Sequence, residues 1–136
     1  MKREILFRGK RIDNGEWVEG GFHEHQNRTL CAIGDSLKPE DIDHLILKSG
    51  FSDWNMPKPL NAYKVHPDTI GQFTGLTDKN GKRIFEGDID NMGWIVCFEY
   101  GVFCIKERIN AKTFIPFSEV FSTEVIGNIH DNPELI

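Results

Sequence analysis

Residues able to do chemistry are few and scattered in this 136-residue chain. His23 and His25 alternate, so on a strand they share a face, and they could ligate a metal with Cys31 or Glu24 only if a loop brings these together. The competing expectation, a solvated polar loop over residues 23–28, suits the composition better. His66 precedes Pro67 and His130 precedes Asp131; either could transfer protons, yet neither has a nucleophile and an orienting partner beside it. Glu86 and Asp88 are two apart and point to one face. They could hold a divalent ion, but Gly87 marks a bend, where an Asp commonly accepts hydrogen bonds from backbone amides.

Phosphate chemistry lacks its loop. Gly71-x-x-x-Gly75 is not followed by Lys-Ser/Thr, and no Gly-x-Gly-x-x-Gly fingerprint occurs. The expectation is therefore no catalytic residue, no metal and no cofactor, which points away from an enzyme.

Two stretches suit binding instead. Residues 1–11 carry Lys2, Arg3, Arg8, Lys10 and Arg11 against Glu4 alone, with Phe7 and Trp17 as stacking surfaces, so Arg3, Arg8, Lys10 and Arg11 are candidate nucleic-acid contacts. Against that, residues 81–136 hold five basic and nine acidic side chains, a poor track for phosphates. The second stretch, residues 51–60, contains Trp54, Met56, Pro57 and Pro59. A loop this apolar covers a core, inserts into a neighbour or binds something, which makes Trp54, Met56 and Pro57 candidate partner or oligomer contacts.

Composition narrows the classes further. Sixteen basic and twenty-one acidic residues give a net charge of −5, which as a whole repels nucleic acid and anionic membrane. The N-terminal MKREILFRGK has no apolar run suited to a signal peptide, and no stretch approaches a membrane span of about 18 residues. A soluble protein of the bacterial cytoplasm, making no membrane contact, is expected. Cys31, Cys97 and Cys104 are odd in number and lack Cys-x-x-Cys spacing, which argues against a disulfide framework or a structural zinc site. If Tyr100-Gly101 is a two-residue turn, Val96 faces Ile105, Cys97 faces Cys104 and Phe98 faces Phe103, so the two thiols are neighbours.

The elements that position these residues read as strands. Residues 3–8 and 16–22 flank an Asp-Asn-Gly turn as a hairpin, and residues 29–33 form a third strand candidate. Ser36 could cap a short helix over residues 39–48, with Glu40 and Asp41 in its first turn and Ile42, Leu45 and Ile46 as its apolar stripe. The chain is organised around residues 65–89: Gly71 and Gly75 suit a bulged strand, Asn80-Gly81 a tight turn, and residues 82–89 a returning strand. Residues 94–100, 102–106, 114–121 and 124–129 add four more strands, with Pro116 placing the third of these at an edge. The expected fold is mainly β. Residues 1–64 form an N-terminal β subdomain carrying a variable loop and one short helix in the middle. Residues 65–136 form the glycine-rich hairpin and a small five-stranded barrel of the Src-homology-3 kind.

The opening FRGKR, the WVEG, the block VHPDTIGQFTGLTDKNGKRIFEGDI and the closing VIGNIHDNPEL resemble phage and prophage proteins of the YopX family. The similarity covers the N-terminal third and everything after about Tyr63; residues 34–62 fall in a segment the family varies, so nothing functional is carried over there. The resemblance implies a mostly-β protein with an N-terminal subdomain and a C-terminal barrel, a phage or integrated-phage setting and a tendency to form homo-oligomers. It implies no reaction and no catalytic residues. The functional expectation is a non-catalytic phage accessory protein that self-assembles and binds a phage or host protein; the alternative is a nucleic-acid-binding module using the basic N-terminal strip in an oligomer.

Overall fold

The computed structural model describes residues 2–109, 111, 114–116 and 123–136. Two compact units account for the chain: an N-terminal unit of residues 6–70, and a C-terminal unit of residues 71–136 that also takes in residues 1–5.

The N-terminal unit is an antiparallel sheet of β1 (Phe7–Lys10), β2 (Trp17–Gln26), β3 (Ile42–Ser49) and β4 (Leu60–Lys64), in the order β4-β3-β2-β1. The expected first hairpin is present, with Lys10 opposite Trp17 and Phe7 opposite Gly20. Its strands run later than their apolar alternation suggests, and β2 takes in His23 to Gln26, where a loop was expected. Val18, Ile46 and Val65 form the buried core, with Phe7, Phe22, Tyr63 and Ile70 packed against it. Gly20 is required by a close approach, because a Cβ there would fall on the Leu47 carbonyl oxygen. Arg11 bridges to Val65, and His66 N–H donates to the Lys10 carbonyl at 2.9 Å, so the end of β1 is tied to the end of β4.

Two expectations fail between β2 and β4. Residues 29–33 are not a strand, and the helix over residues 39–48 is one 3-10 turn (Pro39–Asp41) running straight into β3. Ser36 does not cap it; Asp41 Oδ2 accepts from Lys38 N–H at 2.9 Å instead. The physical reason is tertiary: β3 finds hydrogen-bonding neighbours on both sides, β2 from Gly21 to Gln26 and β4 from Leu60 to Lys64.

In the C-terminal unit, β5 (Gly71–Thr77) and β6 (Arg83–Phe85) make the central hairpin, with the expected bulge between Phe73 and Thr77 at Gly75 (φ 89°). The remaining strands, β7 (Asp88–Asp90), β8 (Ile95–Glu99), β9 (Val102–Lys106), β10 (Phe114–Pro116) and β11 (Val125–Asn128), form a five-stranded antiparallel sheet in the order β10-β9-β8-β7-β11. Among the described residues it is open, with β10 at one edge, where Pro116 is tolerated; the rest of the strand expected to reach residue 121 lies outside the described residues. The expected small barrel is therefore corrected to an open sheet. Gly87 (φ 89°) breaks the strand read over residues 82–89, sending β6 back to β5 and β7 on to β8 and β11. Ile84, Val96, Ile105 and Val125 form this unit's core, joined by Trp94 and Phe103.

Two turns of the C-terminal unit share one construction. In Asp78-Lys79-Asn80-Gly81 the Asp78 Oδ1 accepts from Asn80 and Lys82 N–H, both at 2.9 Å; in Asp90-Asn91-Met92-Gly93 the Asp90 Oδ1 accepts from Met92 and Trp94 N–H, again both at 2.9 Å. The left-handed residue is Gly81 (φ 81°) or Gly93 (φ 84°), so Asn80 does not take the positive φ that its Asn-Gly pair suggests. Each second carboxylate oxygen reaches the chain entering β11: Asp78 Oδ2 accepts from Val125 N–H at 3.0 Å, and Asp90 Oδ2 from the Thr123 hydroxyl at 3.1 Å.

Candidate interaction surface

The loop between β3 and β4 is closed at its neck by Gly50 N–H donating to the Pro59 carbonyl at 2.8 Å, and folded within by Met56 N–H donating to Asp53 at 3.1 Å. Asn55 takes φ 62° at its tip, a left-handed conformation Asn tolerates better than most residues. So constrained, the loop holds its apolar side chains in solvent: Trp54 is 95% exposed, Phe51 88% and Met56 62%, and Leu60, the first residue of β4, is 70% exposed. Pro57 is exposed beside them. Single exposed apolar residues are ordinary, but four within ten residues, three of them on one hydrogen-bonded loop, are not.

The basic strip is arranged differently from a phosphate track. Arg8 is buried, its guanidinium carbon 4.6 Å from the centre of the Trp17 ring. Lys10 Nζ lies 5.7 Å from the same ring, and Lys10 N–H donates to the Thr69 hydroxyl oxygen. Arg11 stacks over Tyr63 at 4.5 Å and makes two hydrogen bonds to Asp13, at 2.7 and 3.0 Å. That pairing raises the Arg11 pKa and lowers that of Asp13. Arg3 is exposed. Three of the four basic candidates thus lie against the protein's own aromatic rings, and Trp17 is covered by cations.

The chemical candidates are dispersed. His23 and His25 are exposed on β2 with ring centroids 6.2 Å apart, and Cys31 is exposed in the following loop. Among the described residues, no group of three or more His, Cys, Asp or Glu side chains is placed to hold a metal ion. Asp88 is buried and its Oδ2 accepts from Phe85 N–H at 2.8 Å, the expected use of an Asp at a bend; Glu86 Oε1 accepts from Gln72 N–H at 3.1 Å. His66 offers its carbonyl to the Thr69 hydroxyl, and His130 N–H donates to the Asn128 side chain. Tyr100 (φ 51°) and Gly101 (φ 82°) form the expected two-residue turn, and the thiols of Cys97 and Cys104 face each other at 3.1 Å. Burial first, and then the neighbouring thiol, push Cys97 up to about 12, so it is protonated and unreactive at neutral pH.

Three features had weak or no signals in the sequence. Arg28 donates to Asp35 through two nitrogens at 2.9 and 3.0 Å and to Asp41 at 2.8 Å, pinning the segment before β3 and depressing both carboxyl pKa values. Nothing in the spacing of these residues announces that cluster. The repeated Asp-x-x-Gly at 78–81 and 90–93 does signal the paired turns. A cavity of about 400 Å³ opens between Ile12, Pro39, Ile42, Val65 and the His44–Glu24 pair, whose nearest atoms are 3.5 Å apart. A second, of about 290 Å³, lies between Arg11, Ala62 and Tyr63, and the two share Ile12 and Lys64.

Fold and surface together define a class: a two-unit, all-β protein whose most distinctive exposed feature is an ordered apolar loop. The family model described as YopX protein matches residues 6–136, and the chain belongs to that family. The crystal structure of protein EF1440 from Enterococcus faecalis is similar in fold, with a TM-score of 0.55 and 23% sequence identity over 98% of this chain and 99% of that one. No curated protein matches the chain.

Proposed function

We propose that this YopX-family protein is a non-catalytic phage or prophage accessory protein that assembles with itself and binds a phage or host protein through the loop between β3 and β4. The observation that carries this reading is the ordered exposure of Phe51, Trp54, Met56 and Leu60. Leaving a large apolar side chain in water forgoes about 1.5–3 kcal/mol of burial, and a binding partner recovers it. The nucleic-acid alternative is less well supported, because Arg8, Lys10 and Arg11 already stack on Trp17 and Tyr63.

Size-exclusion chromatography with light scattering, recording absorbance at 260 and 280 nm, tests both. The expected result is a uniform particle larger than a 15.6 kDa monomer with a protein-like absorbance ratio, shifting toward monomer when Trp54 is replaced by Ala. A monomer unaffected by Trp54→Ala contradicts the reading. A raised 260 nm signal removed by high salt favours the nucleic-acid alternative.

A further inference from the structure

The ladder between β3 and β4 stops short, and the larger cavity of the N-terminal unit forms where it stops. β3 pairs with β2 from Leu47 to Ile42, whereas its pairing with β4 ends at Leu45 opposite Lys64. Val65 N–H adds one more bond, to the His44 carbonyl at 2.9 Å, and the chain then turns away through Pro67–Thr69. Among the described residues no strand pairs with Ile42 and Asp43 on that side. The turn after β1 meets the gap: Ile12 N–H donates to the Lys64 carbonyl at 3.0 Å, which fixes Ile12 at the cavity. The space left is about 400 Å³, within the roughly 300–1,000 Å³ of small-molecule sites.

The lining combines apolar surface with charge. Pro39, Ile42 and Val65 are apolar, and Ile12, 54% exposed, is left for an occupant to cover. The ionisable side chains are Glu24, Asp43, His44 and Lys64. Asp43 is provided for within the protein, since its Oδ1 accepts from Asn27 Nδ2 at 3.2 Å and lies 3.7 Å from Lys64 Nζ. Glu24 faces His44 instead, with Oε1 3.5 Å from Nε2, a contact that joins opposite charges only when the imidazole is protonated. The His44 ring lies nearly parallel to that of Phe22, at 16°, which positions it from the core. With His44 neutral, two carboxylates against one ammonium leave the lining one negative charge, and Glu24 holds it.

We infer that this cavity binds a small organic cation, an ammonium group carried on an apolar body, with Glu24 receiving the charge and Ile12, Ile42 and Val65 the body. An anion reaches Lys64 only in competition with Asp43, in a cavity that two carboxylates line. A neutral ligand of the same shape keeps the apolar contact but forgoes the charge-assisted hydrogen bond to Glu24. The cavity shares no lining residue with the loop around Trp54, so the site stands whether or not the chain assembles with itself.

Amide NMR of the full chain at neutral pH, titrated with phenethylamine, phenethyl alcohol and hydrocinnamate, tests the inference with one apolar body and three head groups. The amine is expected to give saturable shifts centred on the amides of Ile12, Asp43, His44 and Val65, with a Kd on the order of 1 mM, as a ligand of so few atoms allows. The alcohol binds at least about fivefold more weakly, and the amine loses the same factor in Glu24→Gln. Glu24 is 62% exposed, so that variant keeps the fold, and its own spectrum shows this. Lys64→Gln, which removes the competing ammonium, does not weaken the amine. No saturable shift with the amine, equal affinity for amine and alcohol, or an amine indifferent to Glu24→Gln overturns the site. Tighter binding of hydrocinnamate, lost in Lys64→Gln, overturns the assignment of charge. Shifts centred on Phe51, Trp54 and Met56 instead overturn the cavity as the site and leave the loop reading standing.

Discussion

Replacing Asp78 tests how the C-terminal unit is held together. Its carboxylate accepts from Asn80, Lys82 and Val125, so one side chain both shapes the β5–β6 turn and anchors the start of β11. Asp78→Ala leaves three backbone N–H groups without that acceptor. The two in the turn can turn to water, whereas Val125 N–H is buried, and an unsatisfied buried donor costs about 1–3 kcal/mol. Adding about 0.5–1 kcal/mol for each turn amide, the loss is about 3 kcal/mol. Asp78→Asn keeps one oxygen but must aim its NH2 either at Val125 N–H or at the turn amides, and is expected to lose about 2 kcal/mol.

The pH dependence separates a hydrogen-bonded carboxylate from a merely well-packed side chain. Burial works to raise the Asp78 pKa, but the three amide donors outweigh it and the folded-state value lies below the ordinary one. A depressed folded pKa contributes stability that is present above the unfolded value, about 3.9, and is lost as pH falls through the folded one. The gap between wild type and Asp78→Asn should therefore be constant above about pH 5 and shrink toward pH 3. Urea unfolding followed by tryptophan fluorescence at pH 7, 5 and 3 reads it. At an m-value of about 2 kcal/mol per molar, Asp78→Ala moves the midpoint by about 1.5 M at pH 7. Equal midpoints for all three proteins at pH 7, or a gap that widens on acidification, would refute the reasoning.

Other outcomes follow from the same geometry. Gly20→Ala drives a Cβ onto the Leu47 carbonyl and should destabilise the N-terminal unit by about 1–3 kcal/mol, while Gly21→Ala, with nothing within 4 Å of the new Cβ, changes little; thermal melts of the pair decide this. Titration of the native protein with a thiol-reactive disulfide at pH 8 should show one fast thiol, Cys31, and two slow ones that react only on unfolding. Three fast thiols would contradict the burial of Cys97 and Cys104 and the raised pKa of Cys97.

Turn chemistry made much of this fold readable in advance. Asp13-Asn14-Gly15 marks the β1–β2 hairpin, and Tyr100-Gly101 sets the β8–β9 register down to the facing thiols. What was hidden depends on tertiary partners. Ile42, Leu45 and Ile46 carry a helical stripe after Pro39, yet β3 shows half-buried side chains on both faces around Ile46, which conceals the two-residue period of a strand. The chain over residues 29–33 has a strand-like composition, but Ile33 is fully exposed, and Arg28 anchors the neighbouring loop through Asp35 and Asp41. Gly87, read in advance as a bend, has a positive φ that splits the strand anticipated over residues 82–89 into two with different partners. On the surface, the loop around Trp54 was legible from its apolar residues between prolines. Arg8 was not, because a charged residue beside Trp17 reads as a solvated base until the ring is seen beneath it.

Sedimentation velocity of the full chain from about 1 to 100 μM, wild type beside Trp54→Ala, tests the central claim most directly, since a dimer with micromolar affinity dissociates within that range. The account predicts a wild-type sedimentation coefficient that rises with concentration toward that of an assembly, and a Trp54→Ala curve displaced to higher concentration. A wild-type protein that stays monomeric throughout, with Trp54→Ala indistinguishable from it, would contradict the account.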